Sequence, residues 1–255
     1  RGGDYNANYS QLQMQLVTTP RFPAPSPVRF RTMILCLANV LSHAELKAIE
    51  AVLADGAFVD GRATAGWHAR TVKRNEQVAT TSDAARKAGE IVNAALNRHP
   101  VFRAAVLPRS IRPFLFSRYT ERMTYGPHVD DAIMGRTHPV RSDVSVTVFL
   151  SEPESYDGGE LVIETTGGEE AYKLPIGSAI AYPSTTLHRV EPVTRGTRLV
   201  AVTWIQSMVR SAEDREILFD LDTARRTIFE QYGKTREFDL ITKSYANLLR
   251  KWCET

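Results

Sequence analysis

Between Ile111 and Gln206 the chain breaks into short apolar segments separated by turn residues. The clearest are Phe114–Tyr119, Ser145–Leu150, Leu161–Glu164, Ala179–Tyr182 and Leu199–Ile205. Asp157–Gly159, Gly167–Gly168 and Pro175–Gly177 punctuate them with residues that favour turns. The pattern is one of many short strands at close spacing. They point to a β sandwich or barrel of the jelly-roll kind.

Helical periodicity flanks this region on both sides. Ser42 and Glu45 form a capping box, followed by Leu46, Ile49, Val52 and Leu53 at helical spacing, with Gly56 as the stop. A second helix is expected from about Ser82 to Arg98, ended by Pro100. Val59–Gly66 between them reads as a Gly-punctuated loop, and the apolar run Ile34–Leu41 as a buried strand. Beyond Ser207 the helical period returns. One helix opens at Ser211 with Ile217, Leu218, Leu221 and Ile228 on or near its inner face, and another spans Asp239 to Trp252. The expected class is α+β, a jelly-roll core over about 111–207 with helices at both ends. We divide the chain into 1–32, a core domain over 33–207, and a C-terminal helical extension over 208–255.

Four of the 32 basic residues but only one of the 29 acidic residues lie in the first 32 positions, so the remainder is balanced. That balance argues against a nucleic-acid surface. Residues 1–32 are rich in Pro, Ser and Thr and carry neither period, so they read as an appended extension with Met33 as the native start. A secretory signal is the alternative, and it lacks a long apolar stretch and a small-residue cleavage site. No apolar run approaches the roughly 18 residues of a membrane span. The two cysteines, Cys36 and Cys253, read as free thiols in a reducing compartment, which gives a cytoplasmic expectation.

Chemistry concentrates at Tyr125–Asp130 (YGPHVD). In an extended segment, residues two apart share a face, so His128 and Asp130 can reach one ion while Val129 points away. A third ligand is expected from a distant strand. His188 follows the segment Ala179–Tyr182 and a turn; His138 is the competitor, in a segment that reads as a loop. Two histidines and one carboxylate leave open coordination positions, which suits Fe(II). Ten residues on, Arg198 enters an apolar strand, where a guanidinium suits the far end of a dicarboxylate. The segment Asp131–Asp143, with Gly135, Arg136 and Arg141, reads as a solvated loop, with a basic lid over an anionic substrate as the alternative.

These residues resemble the Fe(II)/2-oxoglutarate dioxygenase superfamily and, within it, the bacterial PKHD-type hydroxylases. The likeness runs from about Met33 to the C-terminus. It includes Val59–Gly66, His128–Asp130, Asp157–Glu164, Tyr182–Ser184, Leu187–Val190, Pro192–Gly196, Trp204–Arg210 and Leu218–Asp222. The resemblance implies a double-stranded β-helix with iron held by His128, Asp130 and His188. It also implies 2-oxoglutarate chelated to the metal, its distal carboxylate on Arg198, and a hydroxyl contact for which Tyr119 is the candidate. It implies O2 as co-reactant, ascorbate as an auxiliary, and hydroxylation of a small-molecule or peptide substrate linked to bacterial iron or siderophore uptake. The alternative is a metal-binding cupin-like module without redox catalysis, for which Arg198 has no use. The apolar faces of the C-terminal helices suit covering the barrel, recognising substrate or forming a homo-oligomer.

Overall fold

The structure is a computed structural model that describes residues 33–254 apart from 55 and 136. The expectation for 1–32 lies outside the described residues. The chain begins with β1 (Leu35–Leu37), α1 (His43–Ala54), β2 (Phe58–Asp60), β3 (Lys73–Arg74), β4 (Glu76–Val78), α2 (Asp83–Arg98) and α3 (Pro100–Val106). There follow β5 (Pro108–Ile111), β6 (Leu115–Tyr119), β7 (Thr124–His128), β8 (Ile133–Met134), β9 (Val140–Arg141), β10 (Val144–Phe149) and β11 (Tyr156–Gly158). The remainder comprises β12 (Leu161–Thr165), β13 (Gly168–Tyr172), β14 (Ala179–Pro183), β15 (His188–Val190), β16 (Val193–Gly196), β17 (Arg198–Ser207), α4 (Ala212–Tyr232) and α5 (Arg236–Trp252).

Two antiparallel sheets form the double-stranded β-helix. The larger runs β1-β14-β10-β17-β6-β4-β2, with β5 also paired to β17; the smaller runs β13-β12-β15-β7-β3. The larger sheet is buried on both faces, and its strands alternate accordingly. Val144, Val146 and Val148 of β10 join Phe116, Ala201 and Ile205 under α1 and α2. Phe149, Ile180, Tyr182 and Val200 face the other way, meeting Leu161, Ile163 and Val190 of the smaller sheet. The cavity described below lies in this second layer.

Local signals set the helices. Ser82 and Ser211 cap α2 and α4 through their hydroxyls. The Ser42–Glu45 capping box forms as expected, and Arg98 of α2 grips the same Glu45 carboxylate at 2.9 Å, tying the two helices together.

Several expectations are corrected. Pro100 does not simply end a helical segment: it opens α3, where its missing N–H costs nothing, and His99 caps the new helix through Nδ1. The expected strand Ile34–Leu41 is cut to Leu35–Leu37, because Asn39 takes a left-handed turn conformation. Val59–Gly66 supplies the end of β2 and a 3-10 turn over Gly61–Thr64. Ile217 is exposed; Arg215, Leu218 and Asp222 form the inner stripe of α4 instead. Leu218 meets Leu107, Val209, Leu248 and Trp252, seating the α4–α5 hairpin against one end of the sandwich. The segment Asp131–Asp143 contains a β8–β9 hairpin. Among the described residues, no helix is long and apolar enough to cross a membrane.

Candidate metal centre

His128 closes β7 and His188 opens β15, and the two are cross-strand partners, which puts both imidazoles on one face. Asp130 follows immediately after β7. One ligand atom from each of His128, Asp130 and His188 lies within 4.8 Å of the other two. His188 Nε2 stands 3.8 Å from Asp130 Oδ2, and the imidazole centroids are 4.3 Å apart. His138, the alternative ligand, sits exposed in the β8–β9 turn and is not part of this cluster.

Backbone carbonyls orient both rings. His128 Nδ1 lies 2.8 Å from the Gly126 carbonyl, and His188 Nδ1 lies 3.1 Å from that of Thr186. A carbonyl can only accept, so each Nδ1 carries the proton and each Nε2 lone pair faces the cluster. Burial, and then the neighbouring His188, pulls the His128 imidazole down to about 4, which keeps it neutral. The Tyr125 ring stacks on His128 at 3.6 Å, and Tyr182 meets His188 edge-on at 5.2 Å.

The sequence reading missed the group that holds Asp130. Ser145 Oγ donates to Asp130 Oδ2 at 2.6 Å, and Ser184 Oγ lies 2.8 Å from Ser145 Oγ. A signal was present: in V-S-V-T-V-F of β10 every valine faces the helices, so Ser145 and Thr147 must face the cavity. Lys73 was also missed. It is buried, donates to Thr64 Oγ1 at 3.0 Å and lies over the Tyr125 ring; burial lowers its ammonium to about 8 against the opposing pull of Asp130.

The triad opens into a cavity of about 530 Å³ between the sheets. Arg198 lines it and is only 1% exposed, yet its Nε and Nη1 have no hydrogen-bond partner. It is the register partner of Tyr119 in β6, and its guanidinium carbon sits 5.1 Å from that ring's centroid. Gly159 makes room for it: with φ at +68°, a Cβ there would come within 2.9 Å of Arg198 Cδ. Buried guanidinium nitrogens without an acceptor are costly, and an anion in the cavity would supply one. Arg141, which the alternative reading of its segment gave to a basic lid, is not free for that role. It binds Asp143 at 2.6 Å and Glu254 at 2.7 Å.

The sheet architecture and this cluster define the class, and comparison with known proteins gives the same class. Residues 114–206 match the family model of the 2OG-Fe(II) oxygenase superfamily, and residues 213–254 match that of the PKHD-type hydroxylase C-terminal domain. A PKHD-type hydroxylase of Acaryochloris marina is 58% identical over 222 residues, covering 87% of this chain and 100% of its relative. One from a Synechococcus strain is 56% identical over 223 residues, with the same coverage. The fold is shared with a Trichoplax adhaerens prolyl hydroxylase solved with a hypoxia inducible factor peptide. That match has a TM-score of 0.52 and 12% identity, covering 72% of this chain and 86% of that one. It is shared as well with an alpha ketoglutarate dependent carbocyclase from nogalamycin biosynthesis, at a TM-score of 0.50 and 14% identity, covering 70% and 81%. The chain belongs to the PKHD-type hydroxylases of the 2OG-Fe(II) oxygenase superfamily, and is a 2-oxoglutarate-dependent non-haem iron dioxygenase. The family implies Fe(II), 2-oxoglutarate and O2.

Proposed function

We propose that His128, Asp130 and His188 hold Fe(II), that Arg198 anchors the distal carboxylate of 2-oxoglutarate beside Tyr119, and that the protein hydroxylates a small molecule or peptide. The observation that carries this reading is the buried Arg198 guanidinium, with Nε and Nη1 unpartnered, in the same cavity as the triad. The donor set fits the metal: two neutral imidazole nitrogens and one carboxylate, with positions left open. A metal-binding module without redox chemistry would gain nothing from Arg198.

Iron, when bound, supplies O2 activation coupled to oxidative decarboxylation of 2-oxoglutarate to succinate and CO2. The chain's own work is positional. The Gly126 and Thr186 carbonyls keep both imidazoles in the ligating tautomer. Ser145 fixes the Asp130 carboxylate. Tyr125, Leu161, Tyr182 and Val190 line the cavity with ring and apolar surface that excludes water. No residue has to act as a general base.

The assignment is tested by anaerobic addition of Fe(II) and 2-oxoglutarate, followed by O2. Wild type should develop the visible charge-transfer band of an iron(II)–2-oxoglutarate chelate and release succinate. Arg198→Ala should weaken 2-oxoglutarate binding about 100-fold or more, the scale of losing a buried charged partner. Full succinate production by His128→Ala would sink the metal assignment.

The finer expectations belong to the same proposal. Ascorbate serves as auxiliary reductant. The free thiols Cys36 and Cys253 support a cytoplasmic location. The resemblance motivates a place in bacterial iron uptake, tested by offering siderophores and peptides and reading a +16 mass change. We keep the division into a core over 33–207 and a helical extension over 208–255. We also place a contact between copies on the α4–α5 hairpin, where Phe229 and Tyr232 are exposed.

A further inference from the structure

The cavity has a second end that the cosubstrate does not use. β17 runs along its floor, and the side chains facing inward are Arg198, Val202 and Trp204. Six residues of strand separate Arg198 from Trp204, about 20 Å. A five-carbon dicarboxylate spans roughly 6 Å between its end carbons, so it leaves the Trp204 end free. Trp204 is the register partner of Ser145, the residue that holds Asp130, so this end of β17 also borders the triad's side of the cavity.

That end carries donors without acceptors. Trp204 Nε1 is buried and has no hydrogen-bond partner. Beside it, Arg112 is half-buried in the cavity wall. Its backbone is fastened to β17: the Arg112 N–H donates to the Trp204 carbonyl at 2.9 Å, and Thr203 Oγ1 donates to the Arg112 carbonyl at 2.7 Å. Its guanidinium approaches Gly135, where a Cβ would come within 2.8 Å of Nη1. Among the described residues that guanidinium has no hydrogen-bond or ion-pair partner. Among the described residues the cavity's other cations are Lys73, which donates to Thr64, and Arg198, which the reading above gives to the cosubstrate. Asp131 also lines the cavity; it lies against Gly66 and makes no ion pair with Arg112. Leu115, Val202 and Met134 supply apolar wall.

We propose that Arg112 and the Trp204 indole N–H form a carboxylate-binding subsite, and that the substrate of this hydroxylase is a carboxylate with an apolar body. The proposal rests on the metal and cosubstrate assignment above. A planar fork and one further donor match the two oxygens of a carboxylate. A doubly charged phosphate would call for a second free cation, and among the described residues none lines this end.

The test uses the full chain with Fe(II) and 2-oxoglutarate under anaerobic conditions. N-acetyl-leucine and N-acetyl-phenylalanine are titrated against their carboxamides and against phenyl phosphate, following the shift of the chelate band. Each carboxylate should bind at least 10-fold more tightly than its carboxamide and than phenyl phosphate. Arg112→Ala and the conservative Trp204→Phe, which removes the N–H but keeps a ring, should each erase most of that ratio. Equal affinities in wild type, tighter phosphate binding, no binding by either carboxylate, or a ratio unchanged in both variants would each overturn the subsite. Failure of the metal assignment reads differently, as a missing chelate band in wild type before any probe is added.

Discussion

Arg198 is a cation that the fold buries with its Nε and Nη1 unpartnered. Such a group destabilises the protein unless an anion meets it. Arg198→Met should therefore unfold at the same temperature as wild type or a higher one in the absence of 2-oxoglutarate, and lose the rise that Fe(II) with 2-oxoglutarate gives wild type. Differential scanning fluorimetry with and without both additions measures this; a variant still stabilised by 2-oxoglutarate contradicts it. Ser145 acts through Asp130 rather than by touching the reacting atoms. Ser145→Ala should weaken Fe(II) binding about 10- to 100-fold, as lost outer hydrogen bonds to metal ligands generally do. Equilibrium metal titration reads the change, and Ser145→Thr, which retains the hydroxyl, is the control.

At the scale of elements, one carboxylate links α1 to α2 alongside their apolar packing. Glu45 closes the capping box of α1 and receives Arg98 from α2, and that guanidinium first, then the Ser42 N–H, pulls its carboxyl down to about 2. A folded-state value below the unfolded one stabilises the protein above the unfolded carboxyl range near 4.5. That stabilisation fades as pH falls toward 2. Glu45→Gln should therefore cost up to about 1 kcal/mol at neutral pH, the value for a partly exposed pair. Urea denaturation at a series of pH values should show the gap closing through that window. The strands follow a different logic. β10 is buried along its whole length because helices cover one face and the smaller sheet the other.

Across the whole molecule, the C-terminus is bolted to the sandwich. Arg141 at the end of the β8–β9 hairpin binds Asp143 and Glu254, and Asp143 also accepts from the Ser207 N–H where β17 ends. The Glu254 N–H reaches the Met208 carbonyl, and Val209 bridges Cys253. The hairpin at the cavity mouth and the α4–α5 unit are thus joined through one guanidinium. Arg141→Ala leaves the buried Asp143 carboxylate without its cation, at a cost of about 3 kcal/mol. Chemical denaturation measures that loss. A change under 1 kcal/mol would show that the node does not carry the joint.

Periodicity and local chemistry sufficed for the β core, for α1, α2, α4 and α5, and for the pattern H-x-D, because each is written in neighbouring residues. Where local signals compete, the reading faltered. Pro100 follows one helix and opens the next, and the exposed Ile217 imitates a core position. Only the tertiary structure brings His188 alongside His128, sets Ser145 under Asp130 and leaves Arg198, Arg112 and the Trp204 N–H facing one cavity without acceptors. Those relations arise from antiparallel register between strands up to some 100 residues apart, and register is fixed by which faces the completed sandwich buries.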